Sequence, residues 1–140
     1  VQDTWLHALR KQILTGPIIS NSAALLDYLH ARLAWGQSEQ LFVLFLNSQN
    51  RLLRDEQMSQ GSPTEVIVYP REIMKRALDL GATGLILAHN HPSGDPTPSK
   101  GDIRTTASIA SAARTLEITL HDHVIIARTG WSSLKAMGYL

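Results

Sequence analysis

The sequence predicts an α/β domain, three layers deep, with a mixed central sheet flanked by helices. Three observations predict it. Two continuous apolar runs, Leu41–Leu46 and Leu85–Ala88, read as strands covered on both faces. Segments with helical signals alternate with them, the pattern of layered α/β folds. A turn cluster at Asn47–Asn50 is too short for a crossover, so the strands it joins are antiparallel and the sheet is mixed.

In chain order, Asp3–Leu14 reads as a short helix closed by Gly16-Pro17. Ser20, Asn21 and Ser22 offer N-caps for an Ala/Leu-rich helix, which Gly36 is expected to end in the left-handed conformation. After the first apolar strand and its turn, Arg51 onward returns as a more polar strand. Glu65–Tyr69 alternates around Val66 and Val68 and reads as another strand, stopped by Pro70. Pro70 suits the first turn of a helix, Glu72 complements its dipole and Gly81 ends it. Leu85–Ala88 runs into His89-Asn90-His91, then a Pro/Gly/Ser loop over 92–98 and a helix from Lys100 to Leu116. Val124–Ala127 reads as a late strand and Ser133–Met137 as a last short helix.

The bulk numbers bound the function classes. The chain has 140 residues, 44% hydrophobic and 18% charged, which suits one core. Lys and Arg number 13 against 12 Asp and Glu, a formal charge of +1, so composition makes no electrostatic case for nucleic acid or an anionic membrane. There is no signal peptide and no apolar run of membrane-spanning length. With 0 Cys, disulfides and Cys-based metal sites are excluded, and a transition metal must be held by His and carboxylate. The same absence suits the cytoplasm. The start at Val1 rather than Met reads as that of a fragment, with residues 1–19 the remnant of a preceding region and 20–140 the domain.

The chemistry is concentrated in His89-Asn90-His91-Pro92-Ser93-Gly94-Asp95-Pro96-Thr97-Pro98-Ser99-Lys100-Gly101-Asp102. In extended backbone, residues i and i+2 face the same side, so both imidazoles can reach one ion while Asn90 points the other way. Asp102 falls in the first turn of the next helix, and the loop can fold that turn back over the strand end. A His/His/Asp set leaves a fourth position for water, the arrangement of a catalytic zinc. Bound zinc brings the pKa of water from 15.7 to about 7. Ligand type alone also admits iron or manganese. Ser99 and Asp102 read equally well as a helix capping box, with Asp in place of Glu.

The spacing His-x-His, seven residues, Ser, two residues, Asp resembles the JAMM motif of JAB/MPN metallopeptidases. The longer run from His89 to Ser99 is similar to the RadC branch of that superfamily. So are Tyr69-Pro70-Arg71-Glu72, Phe45-Leu46-Asn47 with Asn50-Arg51-Leu52, and Asp122-His123. The resemblance covers roughly Ser20 to the C-terminus and implies a JAB/MPN-like (cytidine-deaminase-like) fold in a bacterial protein. It implies a zinc hydrolase with one Zn2+ per chain on His89, His91 and Asp102, and attack of metal-activated water on an amide of a peptide or protein substrate. It implies an upstream glutamate as general acid/base, mapped to Glu39, with Glu56 and Glu65 as competitors. Ser99 becomes the donor to the developing oxyanion.

A second His-x-His, His121 and His123, lacks the downstream Ser and Asp. Asp122 or His123 is expected to orient or border the site; a merely polar strand start is the competing reading. His7 and His30 read as surface residues. His89-Asn90-His91 spells HNH, but that nuclease name refers to residues spread over a ββα unit. Zinc nucleoside deaminases need His-x-Glu and Pro-Cys-x-x-Cys. No His-Glu-x-x-His and no Walker-type loop occurs. Two other functions compete with the hydrolase. One is a DNA-repair-associated accessory domain that binds nucleic acid or partner proteins, which only the RadC association implies. The other is a non-catalytic scaffold, against which the intact His89, His91, Ser99 and Asp102 weigh. An exposed sheet edge would permit a homodimer.

Overall fold

The computed structural model describes residues 2–14, 16–17 and 22–140. In chain order the elements are α1 (Gln2–Leu14), α2 (Ser22–Leu33), β1 (Gln40–Leu46), β2 (Leu52–Gln60) and α3 (Pro70–Leu80). They continue with β3 (Gly84–Asn90), α4 (Lys100–Thr115), β4 (Thr119–Ala127) and β5 (Gly130–Ser133). Ser20 and Asn21, read as N-caps of α2, lie outside the described residues.

The strands form one sheet in the order β2-β1-β3-β4-β5. The β3–β4 pair is parallel and the other pairs are antiparallel, so the sheet is mixed, as the short Asn47–Asn50 turn requires. The parallel pair needs a crossover, and α4 supplies it.

The apolar runs in β1 and β3 follow from helices on both faces. Phe42, Leu44, Leu46, Ile86 and Ala88 point to one side and join Leu25, Tyr28, Leu29 and Leu33 of α2, with Leu9 of α1 behind them. Leu41, Val43, Phe45, Leu85 and Leu87 point to the other and meet Ile73, Met74 and Ala77 of α3 and Ile109 and Ala113 of α4. Burying each of the larger aliphatic and Phe side chains contributes about 1.5–3 kcal/mol. This is a three-layer α/β sandwich with its core divided by the sheet.

An ionic cluster fastens α1 and α2 to the outer strand. Arg10 donates to Asp55 at 2.8 Å, and the Tyr28 hydroxyl donates to the other oxygen of the same carboxylate. Burial would raise the Asp55 pKa, but the bonds from Arg10 and Tyr28 outweigh it and hold it low. Burial and the Asp55 charge push the Tyr28 phenol up to about 12.

Four expectations are corrected. Glu65–Tyr69 is extended but not a strand: its alternation arises because Val66 and Val68 pack on the α3/α4 side of the core, while the segment pairs with no ladder. Ser133–Met137 is not a helix: residues 130–133 pair with β4 as a hairpin strand, and turns follow. β4 begins at Thr119 rather than Val124, because its polar first half pairs with β3. Gly36 is not left-handed, whereas Gly81 is, with φ of 70°. Gly36 is small for another reason: a Cβ there would lie 2.9 Å from the Asn90 amide nitrogen.

Candidate metal centre

The site forms where β3 leaves the sheet. His91 lies past the end of β3, yet its N–H still donates to Ile126 O of β4 at 2.9 Å, so the backbone stays extended. Both imidazoles therefore face the same side, with their Nε2 atoms 3.0 Å apart.

The opening turn of α4 brings the first carboxylate. The capping box is real: Ser99 Oγ accepts from Asp102 N at 3.0 Å, and Ser99 N donates to Asp102 Oδ2 at 2.9 Å. The same carboxylate lies 3.1 Å from His91 Nε2 and 3.3 Å from His89 Nε2. Cap and site are thus one arrangement. The cap fixes the side chain that faces the imidazoles.

Glu39, just ahead of β1, brings the second. It is 4% exposed, and its Oε1 lies 3.6 Å from His89 Nε2 and 3.7 Å from His91 Nε2. Its backbone is pinned from both directions: Glu39 N donates to Ser62 O, and Gly61 N donates to Glu39 O, both at 2.8 Å. Asn90 completes the mounting. Its side-chain oxygen accepts from Gln40 N at 2.7 Å and its amide donates to Ser38 O at 3.0 Å, so one side chain brackets Glu39. Sequence reasoning set Asn90 aside as no ligand and missed this role. The available signal was a polar residue at the end of a buried strand, which has to find partners.

The loop after His91 is equally fixed. Asp95 Oδ1 accepts from Thr97 N and Oγ1, while Thr129 and Ser132 of the β4–β5 hairpin donate to Gly94 O and Pro96 O. This holds Asp95 O at 2.9 Å from His91 Nδ1. A carbonyl can only accept, so His91 carries a proton on Nδ1, and in its neutral form presents the Nε2 lone pair. Behind His89 stands His123, 3% exposed, with its Nε2 at 2.6 Å from His89 Nδ1.

The electrostatics fit a cation. Burial would raise the Asp102 pKa, but the facing imidazoles of His89 and His91 and the Ser99 N–H hold it far below the usual range. Burial raises the pKa of Glu39, only partly opposed by the two histidines. Burial lowers the pKa of His123, and the neighbouring His89 adds to this. Donors sharing one tetrahedral ion with bonds of 2.0–2.1 Å stand about 3.3 Å apart. The Nε2 and carboxylate oxygen atoms here span 3.0–3.7 Å. Glu39, His89 and His91 each offer one ligand atom, all within 4.8 Å of one another. Asp102 stands closer still to both imidazoles, so the residues fit a metal ion with donors to spare.

These groups floor a cleft of about 450 Å³. Its wall includes Pro63–Val66, Val68 and Ser99, with Arg104 and Thr105 of α4. His89, His91, Asp102, Glu39 and Ser99 are therefore together, and His123 adjoins them. Asp122 is not in the lining: its carboxylate accepts from Ser133 Oγ at 2.7 Å and Lys135 N at 3.2 Å, which ties β4 to the chain after β5. Of the competing glutamates, Glu56 is held by Arg76, and Glu65 is an exposed part of the wall. His121 lines a separate hollow with Arg114 and Lys135.

The family model for the RadC-like JAB domain matches residues 19–139. The chain belongs to the RadC-like JAB family. Among the described residues, its five-stranded mixed sheet with four helices is consistent with a JAB/MPN-like fold. A UPF0758 protein of Ruegeria pomeroyi is 50% identical over 131 residues, covering 94% of this chain and 58% of that protein. A UPF0758 protein of Rhodobacter capsulatus is 49% identical over 131 residues, covering 94% of this chain and 61% of its own length. The chain thus spans about three fifths of these relatives, and neither name states an activity. Among the described residues, no helix of this RadC-like domain is long and apolar enough to cross a membrane.

Proposed function

We propose that this RadC-like domain is a zinc-dependent hydrolase of the metallopeptidase type, with one zinc ion per chain, cleaving an amide in a peptide or protein. The observation that carries the reading is the convergence of His89 Nε2, His91 Nε2 and the Asp102 carboxylate, with buried Glu39 beside them.

The two imidazoles and Asp102 would hold the ion, since their donors are nearest one another. Bound zinc supplies a Lewis acid and makes water acidic enough to attack at neutral pH. Glu39 stands slightly farther off, at 3.6–3.7 Å, which suits a base acting on water rather than a ligand. It takes a proton from the attacking water as the new C–O bond forms, and delivers it to the amine nitrogen as the C–N bond breaks. A raised pKa suits a carboxyl that must hold a proton between two transfers. Ser99 Oγ accepts from Asp102 N, which leaves its hydrogen for the carbonyl oxygen as negative charge develops there. Pro63, Thr64, Glu65 and Arg104 on the rim are exposed, so the floor is reachable by a segment of a larger chain.

Glu39→Gln is the test. It keeps the shape and burial but cannot take a proton. Zinc affinity is expected to change less than tenfold, while cleavage of a peptide-library substrate falls by about 10²–10⁴, the usual share of a general base. Unchanged cleavage in this variant would remove Glu39 from the reaction. Loss of zinc would make it a ligand.

A further inference from the structure

His89 and His91 are oriented by different means. The partner of His91 Nδ1 is a main-chain carbonyl, which can only accept. The partner of His89 Nδ1 is the imidazole of His123, which can accept or donate according to its own tautomer. The orientation of His89 therefore depends on what fixes His123.

That group is Thr106 of α4, with 0% exposure. Its Oγ1 lies 2.6 Å from His123 Nδ1 and donates to Asp102 O, one helical turn back, at 2.7 Å. A hydroxyl has one hydrogen, and this one is spent on the carbonyl. Oγ1 must then accept from His123 Nδ1–H. A neutral His123 is left with an acceptor at Nε2, which receives His89 Nδ1–H, and the Nε2 of His89 is left with a lone pair facing Asp102 and His91. Each bond fixes the next. The chain runs from the main chain of Asp102 through α4 and β4 to β3, and ends opposite the carboxylate of the same Asp102.

We propose that Thr106 and His123 are positioning residues for the metal: their hydrogen-bond chain holds His89 in the one neutral tautomer that can ligate through Nε2. The proposal rests on the zinc reading above and adds to it the groups that prepare one ligand. Removing the Thr106 hydroxyl would leave His123 Nδ1 without an acceptor. A buried N–H without a partner is costly. His123 would move its proton to Nε2 and donate to His89 Nδ1, placing the His89 proton on Nε2, where the ion must bind.

Thr106→Val removes the hydroxyl at nearly constant volume, and Thr106→Ser restores it. Long-range 1H–15N spectra of the metal-free protein at about pH 8, above the ordinary histidine pKa, report the tautomers directly. Zinc affinity is read by competition with a chromophoric chelator. The wild type and Thr106→Ser should show His89 protonated on Nδ1. Thr106→Val should show it on Nε2 and bind zinc about 10–100-fold more weakly, the usual cost of losing a group that orients a ligand. Wild-type His89 protonated on Nε2 overturns the proposal, whether or not the variants fold. So does a folded Thr106→Val with wild-type tautomer and affinity, or Thr106→Ser as weak as Thr106→Val. Wild-type protein that shows the expected tautomers and takes up no zinc would refute the hydrolase reading and leave the hydrogen-bond chain standing.

Discussion

Asn90→Ala separates the two carboxylates of the site by what mounts them. The wild-type amide is 1% exposed and satisfies two main-chain groups, Gln40 N at 2.7 Å and Ser38 O at 3.0 Å. Alanine leaves both without that partner. An orphaned buried polar group costs about 1–3 kcal/mol, and Ser38 and Gln40 are only half buried, so the pair should cost about 2–3 kcal/mol. The loosened segment is the one that carries Glu39. His89, His91 and Asp102 are mounted separately, by the β3–β4 ladder and the α4 cap. Urea unfolding should therefore show a lower midpoint at unchanged slope. Zinc affinity should stay within a few-fold, while amide cleavage drops at least tenfold. A stability loss under about 0.5 kcal/mol would refute the bracing argument, since two lost main-chain bonds cannot cost so little. Zinc affinity that falls as far as activity would refute the division of roles, and would make Glu39 a ligand beside His89 and His91.

Ser99→Ala should lose about 0.5–2 kcal/mol of stability with the cap and about 10²–10³ in kcat with the oxyanion donor, checked by unfolding and by cleavage kinetics. Ser99→Asp should recover the stability but not the rate. The Asp55 cluster should make stability depend on pH. The folded Asp55 pKa is lowered, so its contribution is complete above the unfolded value of about 3.9 and is lost as pH falls through the folded value. The Tyr28 pKa is raised to about 12, so its contribution is complete below about pH 10 and is lost as pH rises towards 12. Urea midpoints across both ranges should show both losses, the acid one smaller in Asp55→Asn, where Asp102 still contributes, and the alkaline one smaller in Tyr28→Phe.

Much of this fold was legible because local pattern and tertiary role coincide. Leu41–Leu46 and Leu85–Ala88 are apolar without interruption because both faces of the sheet are covered, and Val124–Ala127 shows the same pattern in the buried half of β4. Glu65–Tyr69 shows where pattern misleads: one-sided packing of Val66 and Val68 produces the alternation of a strand without a ladder. At Gly130–Ser133 the hairpin pairs residues too few and too polar to give a periodic signal.

The site divides in the same way. His89, His91, Ser99 and Asp102 lie within one short segment, so spacing alone brings them to a common point. Glu39 comes from 50 positions earlier and was reachable only through the family resemblance. The register of β1 against β3, which sets Leu41 opposite His89, is what delivers it. Asn90 and Thr106 were beyond spacing arguments, because their roles depend on which neighbours lie across the sheet and along α4; His123 was expected to orient or border the site, and it stands behind His89.

Metal content tests the central claim most directly. Wild-type protein equilibrated with zinc and freed of excess should hold about one zinc per chain by elemental analysis, and His89→Ala, His91→Ala and Asp102→Ala should each hold well below that. Wild-type protein that holds none, or an Asp102→Ala variant that holds as much as wild type, would contradict the account.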